Sequence, residues 1–200
     1  SDTYGTGEDA VGLHENKRPV KYVSGNTSET YDFKDITGTS FTVCSYTRWT
    51  STETAKKKRI LNGASDNWLH GHHGTDEVGA IYYGGVDNRY LIGGTGEPPK
   101  RAPNRWAAVC CTNNGAESYY VDGLEYTADG GTGNPGGIKI NAGNVVQTSD
   151  WAFAFMATWN FHLSTTEMKA VSDWIIGNDG GSGGGGGSYM GGVSQSDRAS

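Results

Sequence analysis

Trp151-Ala-Phe-Ala-Phe-Met-Ala-Thr-Trp159 is the stretch that decides the fold. Alternation puts Trp151, Phe153, Phe155, Ala157 and Trp159 on one side and Ala152, Ala154, Met156 and Thr158 on the other. An uncharged run with large side chains opposed by small ones reads as a strand covered on both faces, and so interior to a sheet.

Strand-like runs recur upstream of it. Pro19–Val23 reads as a first short strand, closed by Ser24-Gly25-Asn26, and Phe41–Trp49 as a long one. Lys56-Lys57-Lys58-Arg59 reads as a solvated loop, followed by Ile60-Leu61 and a turn at Asn62-Gly63. Trp68–His72, Val78–Tyr83 and Arg89–Ile92 follow at short intervals, and a proline-bearing loop over 93–104 leads to Arg105–Thr112. Asn113-Asn114-Gly115 and Asp122-Gly123 are hairpin signals, because Asn and Gly tolerate the left-handed backbone of a tight turn. They bracket Glu117–Val121 and hand on to Leu124–Thr127, so these strands are consecutive and antiparallel; Ile138–Ile140 precedes the Trp151 run.

One helix stands out downstream. Ser164-Thr-Thr-Glu167 is a capping box, Leu163 and Met168 are spaced as a hydrophobic staple, and Gly177 supplies the stop. Met168, Val171 and Ile175, with Trp174 beside them, make its apolar stripe.

Composition agrees with this pattern. Glycine at 32 of 200 residues, with 11 Tyr and 6 Trp, excludes a mainly helical protein. Lys and Arg number 16 against 22 Asp and Glu, so the formal charge of −6 argues against nucleic acid and anionic membrane as partners. No run reaches the ~20 apolar residues of a membrane span. The opening Ser-Asp-Thr-Tyr-Gly has neither an initiator Met nor a signal-peptide pattern, and is expected to start a processed product.

Cys44, Cys110 and Cys111 lack zinc spacing. In a secreted protein they make one disulfide and one leftover thiol, with Cys44 joined to one of the adjacent pair; the sequence does not choose between them, and three buried thiols are the other reading. Asn26-Thr27-Ser28 is an N-glycosylation sequon and leans toward the same extracellular setting. Residues 1–30 form an N-terminal extension and first strand, 31–177 the sandwich, and 178–200 a Gly-rich tail.

With these elements in this order, the chain resembles the concanavalin A-like lectin/glucanase superfamily, and within it the laminin-G-like (LamG-type) domains. The matching residues are Phe41-Thr-Val43, Arg59-Ile-Leu61, Trp68-Leu-His-Gly-His72 with Tyr82-Tyr83 and Gly85, Arg105-Trp106, Tyr120-Val-Asp-Gly123 and Leu163-Ser-Thr-Thr-Glu167. The resemblance implies an all-β, two-sheet antiparallel jelly-roll sandwich with one short C-terminal helix. It also implies an extracellular or cell-surface setting and a role in glycan binding, adhesion or assembly. The β-glucan hydrolases of this superfamily place Glu-x-Asp-x-(x)-Glu on one strand; no such run occurs here, so no catalytic residue and no enzyme activity are expected.

Sugar recognition needs aromatic faces for the apolar side of a pyranose and amides or carboxylates for its hydroxyls. Trp68, His72, Tyr82, Tyr83, Asp87, Asn88 and Arg89 supply both, although strand alternation also predicts that Trp68 and one tyrosine are core. His70 and His72 share a strand face and could ligate one metal ion. Against this, His73 points the other way and no Cys or carboxylate lies in the segment, so no metal is expected. Asp122, Asp129 and Asp150 would suit calcium but lack an EF-hand-like spacing; calcium stays open, and no other cofactor is expected.

The reading that follows is a non-catalytic, extracellular structural or adhesive subunit that assembles with copies of itself through the Gly-rich tail and associates with glycans. A monomeric carbohydrate-binding lectin is the alternative, and a glycoside hydrolase or lyase with unfamiliar catalytic residues comes third.

Overall fold

A computed structural model describes residues 7–9, 20–74, 77–84, 105–114, 118–127 and 131–177, the first three as backbone. Two antiparallel sheets pack face to face, as expected for an all-β sandwich. The larger is ordered β1 (Gly7–Asp9), β2 (Val20–Gly25), β12 (Trp151–Trp159), β4 (Thr42–Trp49), β8 (Ala107–Thr112), β9 (Ser118–Val121) and β10 (Leu124–Thr127). The smaller is ordered β3 (Tyr31–Asp32), β11 (Ile138–Ile140), β5 (Leu61–Gly63), β6 (Trp68–His73) and β7 (Glu77–Tyr83).

The Trp151 run is interior, flanked by β2 and β4. Its faces are not the two expected. A bulge between Phe153 and Phe155 shifts the register, so Trp151, Phe153 and Met156 join the core between the sheets. Phe155 and Trp159 turn to the outer face. An extra residue inverts the period-two pattern beyond it, and an all-apolar run gives no signal of where that happens.

Alternation along β4 divides the layers. Val43 and Trp49 face the smaller sheet, while Cys44 and Tyr46 face outward under α1 (Thr165–Ile176). The helix starts as expected: Ser164 accepts the Glu167 amide, Glu167 accepts the Ser164 amide, and Gly177 closes the helix in the left-handed conformation. Leu163 and Met168 meet over the Cys44–Cys110 disulfide, and these two cysteines stand directly opposite on β4 and β8. Cys111 faces the other way and is a buried free thiol. Asp122 and Gly123, both at positive φ, make the two-residue turn between β9 and β10.

Three local expectations change. Asn62 and Gly63 belong to β5, paired on both sides, and the turn falls at 64–67. The basic run is not a solvated loop: Lys57 and Arg59 are buried, with the Lys57 ammonium 5.9 Å from the centre of the Trp49 ring. Edge strand β3, two residues long, has no counterpart in the sequence reading. The expected strand at Arg89–Ile92, the loop over 93–104 and the Gly-rich tail at 178–200 lie outside the described residues. Among the described residues no helix is long and apolar enough to cross a membrane.

Candidate functional site

Strands β6 and β7 carry most of the residues singled out for recognition, and the pleat sends them to opposite faces. Trp68, His70 and His72 point inward from β6, and Ile81 and Tyr83 from β7. Gly79, at φ +90, is the bulged residue of β7 that sets Val78 opposite His72 on the inward face; a Cβ there would come within 2.9 Å of the Val121 side chain.

Inside, these side chains form one network. The Trp68 ring stacks on Tyr83 at 4.9 Å and on His70 at 5.8 Å. His70 Nε2 lies 3.0 Å from the Val109 carbonyl oxygen, which can only accept, so Nε2 carries the proton and Nδ1 accepts from the Tyr83 hydroxyl at 2.7 Å. His72 Nδ1 meets Thr47 Oγ1 at 3.1 Å, and its ring stands edge-on to Trp49. Burial drives both imidazoles toward the neutral form, His70 down to about 4 and His72 to about 3, the latter also repelled by His70. Burial likewise pushes the Cys111 thiol up to about 12.

Trp68, His72 and Tyr83, expected to meet a sugar, are therefore core residues with no face open to solvent. His70 and His72 do share a face, but it is the interior one, and both nitrogens of His70 are occupied by protein. His73 points outward and pairs with Glu77 at 2.6 Å. Among the described residues no three His, Cys, Asp or Glu side chains converge as metal ligands. Of the aspartates weighed for calcium, Asp122 accepts the Ala108 amide, Asp150 accepts the Thr27 amide, and Asp129 lies outside the described residues, as do Asp87, Asn88 and Arg89.

The outward face of the same strands is different. Asn62, Leu69 and Tyr82 stand in register across β5, β6 and β7, and the row continues through Lys139 to Asp32 at the sheet's far edge. The Lys34 amide and ammonium hold the Asp32 carboxyl below the usual carboxylate range. Tyr82 is half-buried. Asn62 is 1% exposed, and neither its amide oxygen nor its nitrogen has a hydrogen-bond partner. The turn before β6 adds a half-buried carboxylate and amide. Asp66 Oδ1 accepts the Asn67 amide at 2.7 Å, and Asn67 Oδ1 accepts Arg59 Nη1 at 2.7 Å. The Asp66 carboxylate sits where a side chain on Gly84 would project, which brings it to the end of β7, two residues past Tyr82. Asn62 and Leu69 in this row are buried, and the groups that solvent reaches are an aromatic ring, one amide and a carboxylate at Tyr82, Asn67 and Asp66, the combination that polyhydroxylated ligands require.

The sequence reading singled out Tyr82 and did not single out Asn62, Asp66 or Asn67. The Asn-Gly and Ser-Asp-Asn pieces carry turn chemistry, and only the pairing of β5 on both sides reveals that Asn62 belongs to a sheet face.

No protein-family model and no curated protein matches this sequence. Solved structures share its fold at low identity. Domain 4 of AbnA, a GH43 extracellular arabinanase from Geobacillus stearothermophilus, solved with arabinotriose, superposes with a TM-score of 0.60 and 14% identity over 86% of this chain and 82% of that one. Trypanosoma rangeli sialidase superposes at 0.53 with 13% identity over 80% of this chain, and its complex with a difluorinated nononic acid at 0.52 with 13% identity and the same coverage. The chain spans 28% of the length of those sialidase structures. The likenesses support a jelly-roll type of sandwich.

They also overturn one expectation. A structural or adhesive subunit that self-assembles has no counterpart among these neighbours, which are a domain of a glycan-cleaving enzyme and part of a sialidase. The Gly-rich tail through which self-association was expected lies outside the described residues.

Proposed function

We propose that this chain is a non-catalytic carbohydrate-binding domain of laminin-G-like type, working in an extracellular or cell-surface setting, with its sugar site on the outward face of the smaller sheet. The observation that carries this reading is half-buried Tyr82 on the outward face of β7, with the Asp66 carboxylate brought against the end of the same strand at Gly84. Tyr82 supplies the flat face for a sugar ring, and Asp66 and Asn67 serve its hydroxyls. Asp87, Asn88 and Arg89 follow Tyr82 closely in the chain and belong to the proposal as its flanking groups. The correspondence with nearly the whole of a domain solved with arabinotriose supports glycan binding as its class. A disulfide between Cys44 and Cys110 supports the oxidising compartment.

The acidic side chains described on this face favour binding over hydrolysis. Asp32 is held by Lys34, Asp66 by the Asn67 amide and Glu77 by His73, whereas hydrolysis needs an acid and a nucleophile or base free to act on one bond. The test is a glycan array that includes arabino-oligosaccharides and sialosides, followed by calorimetry on the hits. Saturable binding that weakens about tenfold or more in Tyr82→Ala supports the site, since a stacked aromatic contributes roughly 1 kcal/mol or more. Silence across the array ends the reading, and unchanged affinity in Tyr82→Ala moves the site elsewhere.

A further inference from the structure

The turn between β2 and β3 serves no part of the proposed sugar site, yet it is built with more care than a simple connection needs. The Asn26 amide donates to Glu29 Oε2 at 2.7 Å and the Glu29 amide returns to the Asn26 carbonyl at 3.1 Å. Asn141 Nδ2 donates to that same carbonyl at 2.9 Å, and the Thr27 amide donates to Asp150 Oδ1 at 3.0 Å. The backbone is thus tied at successive residues to β12's approach and to the loop after β11.

The side chain of Asn26 takes no part in that anchoring. It is exposed, and its Oδ1 accepts twice from Ser28, from the amide at 2.9 Å and from the hydroxyl at 2.7 Å. Both donations occupy Oδ1 and leave Nδ2 with no hydrogen bond to the described residues. An Asx turn closed by the hydroxyl two residues on keeps the carboxamide oxygen engaged and leaves the nitrogen of this exposed side chain without a partner among the described residues. Thr27 at the centre of the tripeptide leaves it free of proline.

The geometry points to Asn26 as a site of N-linked glycosylation, with a lipid-diphosphate-linked oligosaccharide as the glycosyl donor. In the transfer, a bond forms between Nδ2 and the anomeric carbon of the donor sugar. The bond from that carbon to the diphosphate oxygen breaks and the lipid diphosphate leaves with the electron pair; Nδ2 loses one proton to a base of the transferase. The Cys44–Cys110 disulfide supports the same compartment independently, because the oxidising lumen in which it forms is where such donors are used. This assignment does not rest on the proposed sugar site; the glycan here is attached, not bound.

The experiment is expression of the full chain through the secretory pathway of an animal cell, reading intact mass in both medium and total cell lysate so that a secretion defect does not hide the result. The expected outcome is a glycoform that collapses under peptide N-glycosidase and leaves aspartate at position 26 when digested in heavy-oxygen water. Asn26→Gln and Ser28→Ala lose it, and Ser28→Thr, which keeps the hydroxyl, retains or raises the occupied fraction. Chains that carry the Cys44–Cys110 disulfide and yet remain unmodified at Asn26 in lysate and medium overturn the assignment, as does a glycoform that survives Asn26→Gln.

Discussion

Trp68, His70, His72 and Tyr83 share strands β6 and β7 with Leu69 and Tyr82, yet the two sets live in different chemistry. The inward set is a buried stack in which one proton arrangement satisfies His70, Tyr83 and Val109 together, while Trp68 Nε1 and His72 Nε2 have no hydrogen-bond partner among the described residues. The outward set adjoins a half-buried carboxylate that accepts the Asn67 amide within its own turn. Residue type does not separate them, for tyrosine appears in both. Parity separates them, so the sharpest experiments move between adjacent residues.

The largest expected effect is on the inward side. Trp68→Ala removes a fully buried indole from between Phe41, His70 and Tyr83, and should cost about 3–5 kcal/mol in urea or thermal unfolding. A loss below about 1 kcal/mol would mean that the ring is not core and that the two faces are misassigned.

The next effect comes from acid. In the unfolded chain both imidazoles titrate near 6.5, while in the core they hold out to about 4 and about 3. Below pH 6.5 the unfolded chain binds protons that the native state refuses. Stability is therefore full above that pH, falls as pH drops toward 4 and 3, and levels off below. Unfolding midpoints measured across this range should follow that curve, with a shallower slope in His72→Gln. A flat profile would show that water reaches the two rings.

Between these and the outward face lies Tyr83→Phe. The substitution keeps the stack on Trp68 and removes only the hydroxyl, leaving His70 Nδ1 buried without a donor. The expected cost is about 1–3 kcal/mol by denaturation, and Tyr83→Phe should leave any sugar affinity unchanged.

How much of this could be read from residues alone follows from the same distinction. The Trp151 run announced an interior strand because nine uncharged residues leave little else, but its bulge was silent: in an apolar run both phases look alike. The helix was legible to its caps because Ser164, Glu167 and Gly177 act locally. The disulfide partner was not, since choosing Cys110 over Cys111 needs the register that sets Cys44 opposite Cys110 and Cys111 opposite Val43. For the site, alternation did predict that Trp68 and one tyrosine would be core. What hid Asn62 was its glycine neighbour, which gives a strand the signature of a turn; tertiary pairing overrode that local preference.

The smallest effect on stability is the most informative about function. Tyr82 precedes Tyr83 in the chain and opposes Leu69, but its ring lies outside the core clusters and is half-buried. Removing it should change unfolding free energy by well under the cost of Trp68→Ala, about 1 kcal/mol or less, because solvent already reaches the ring. Its effect on an oligosaccharide should be the reverse: affinity falls while the fold stays. Tyr83→Phe and Tyr82→Ala then form a crossed pair, one moving stability without binding and the other binding without stability. If both move stability alike, the outward row is merely the skin of the core, and recognition must be sought on the other sheet.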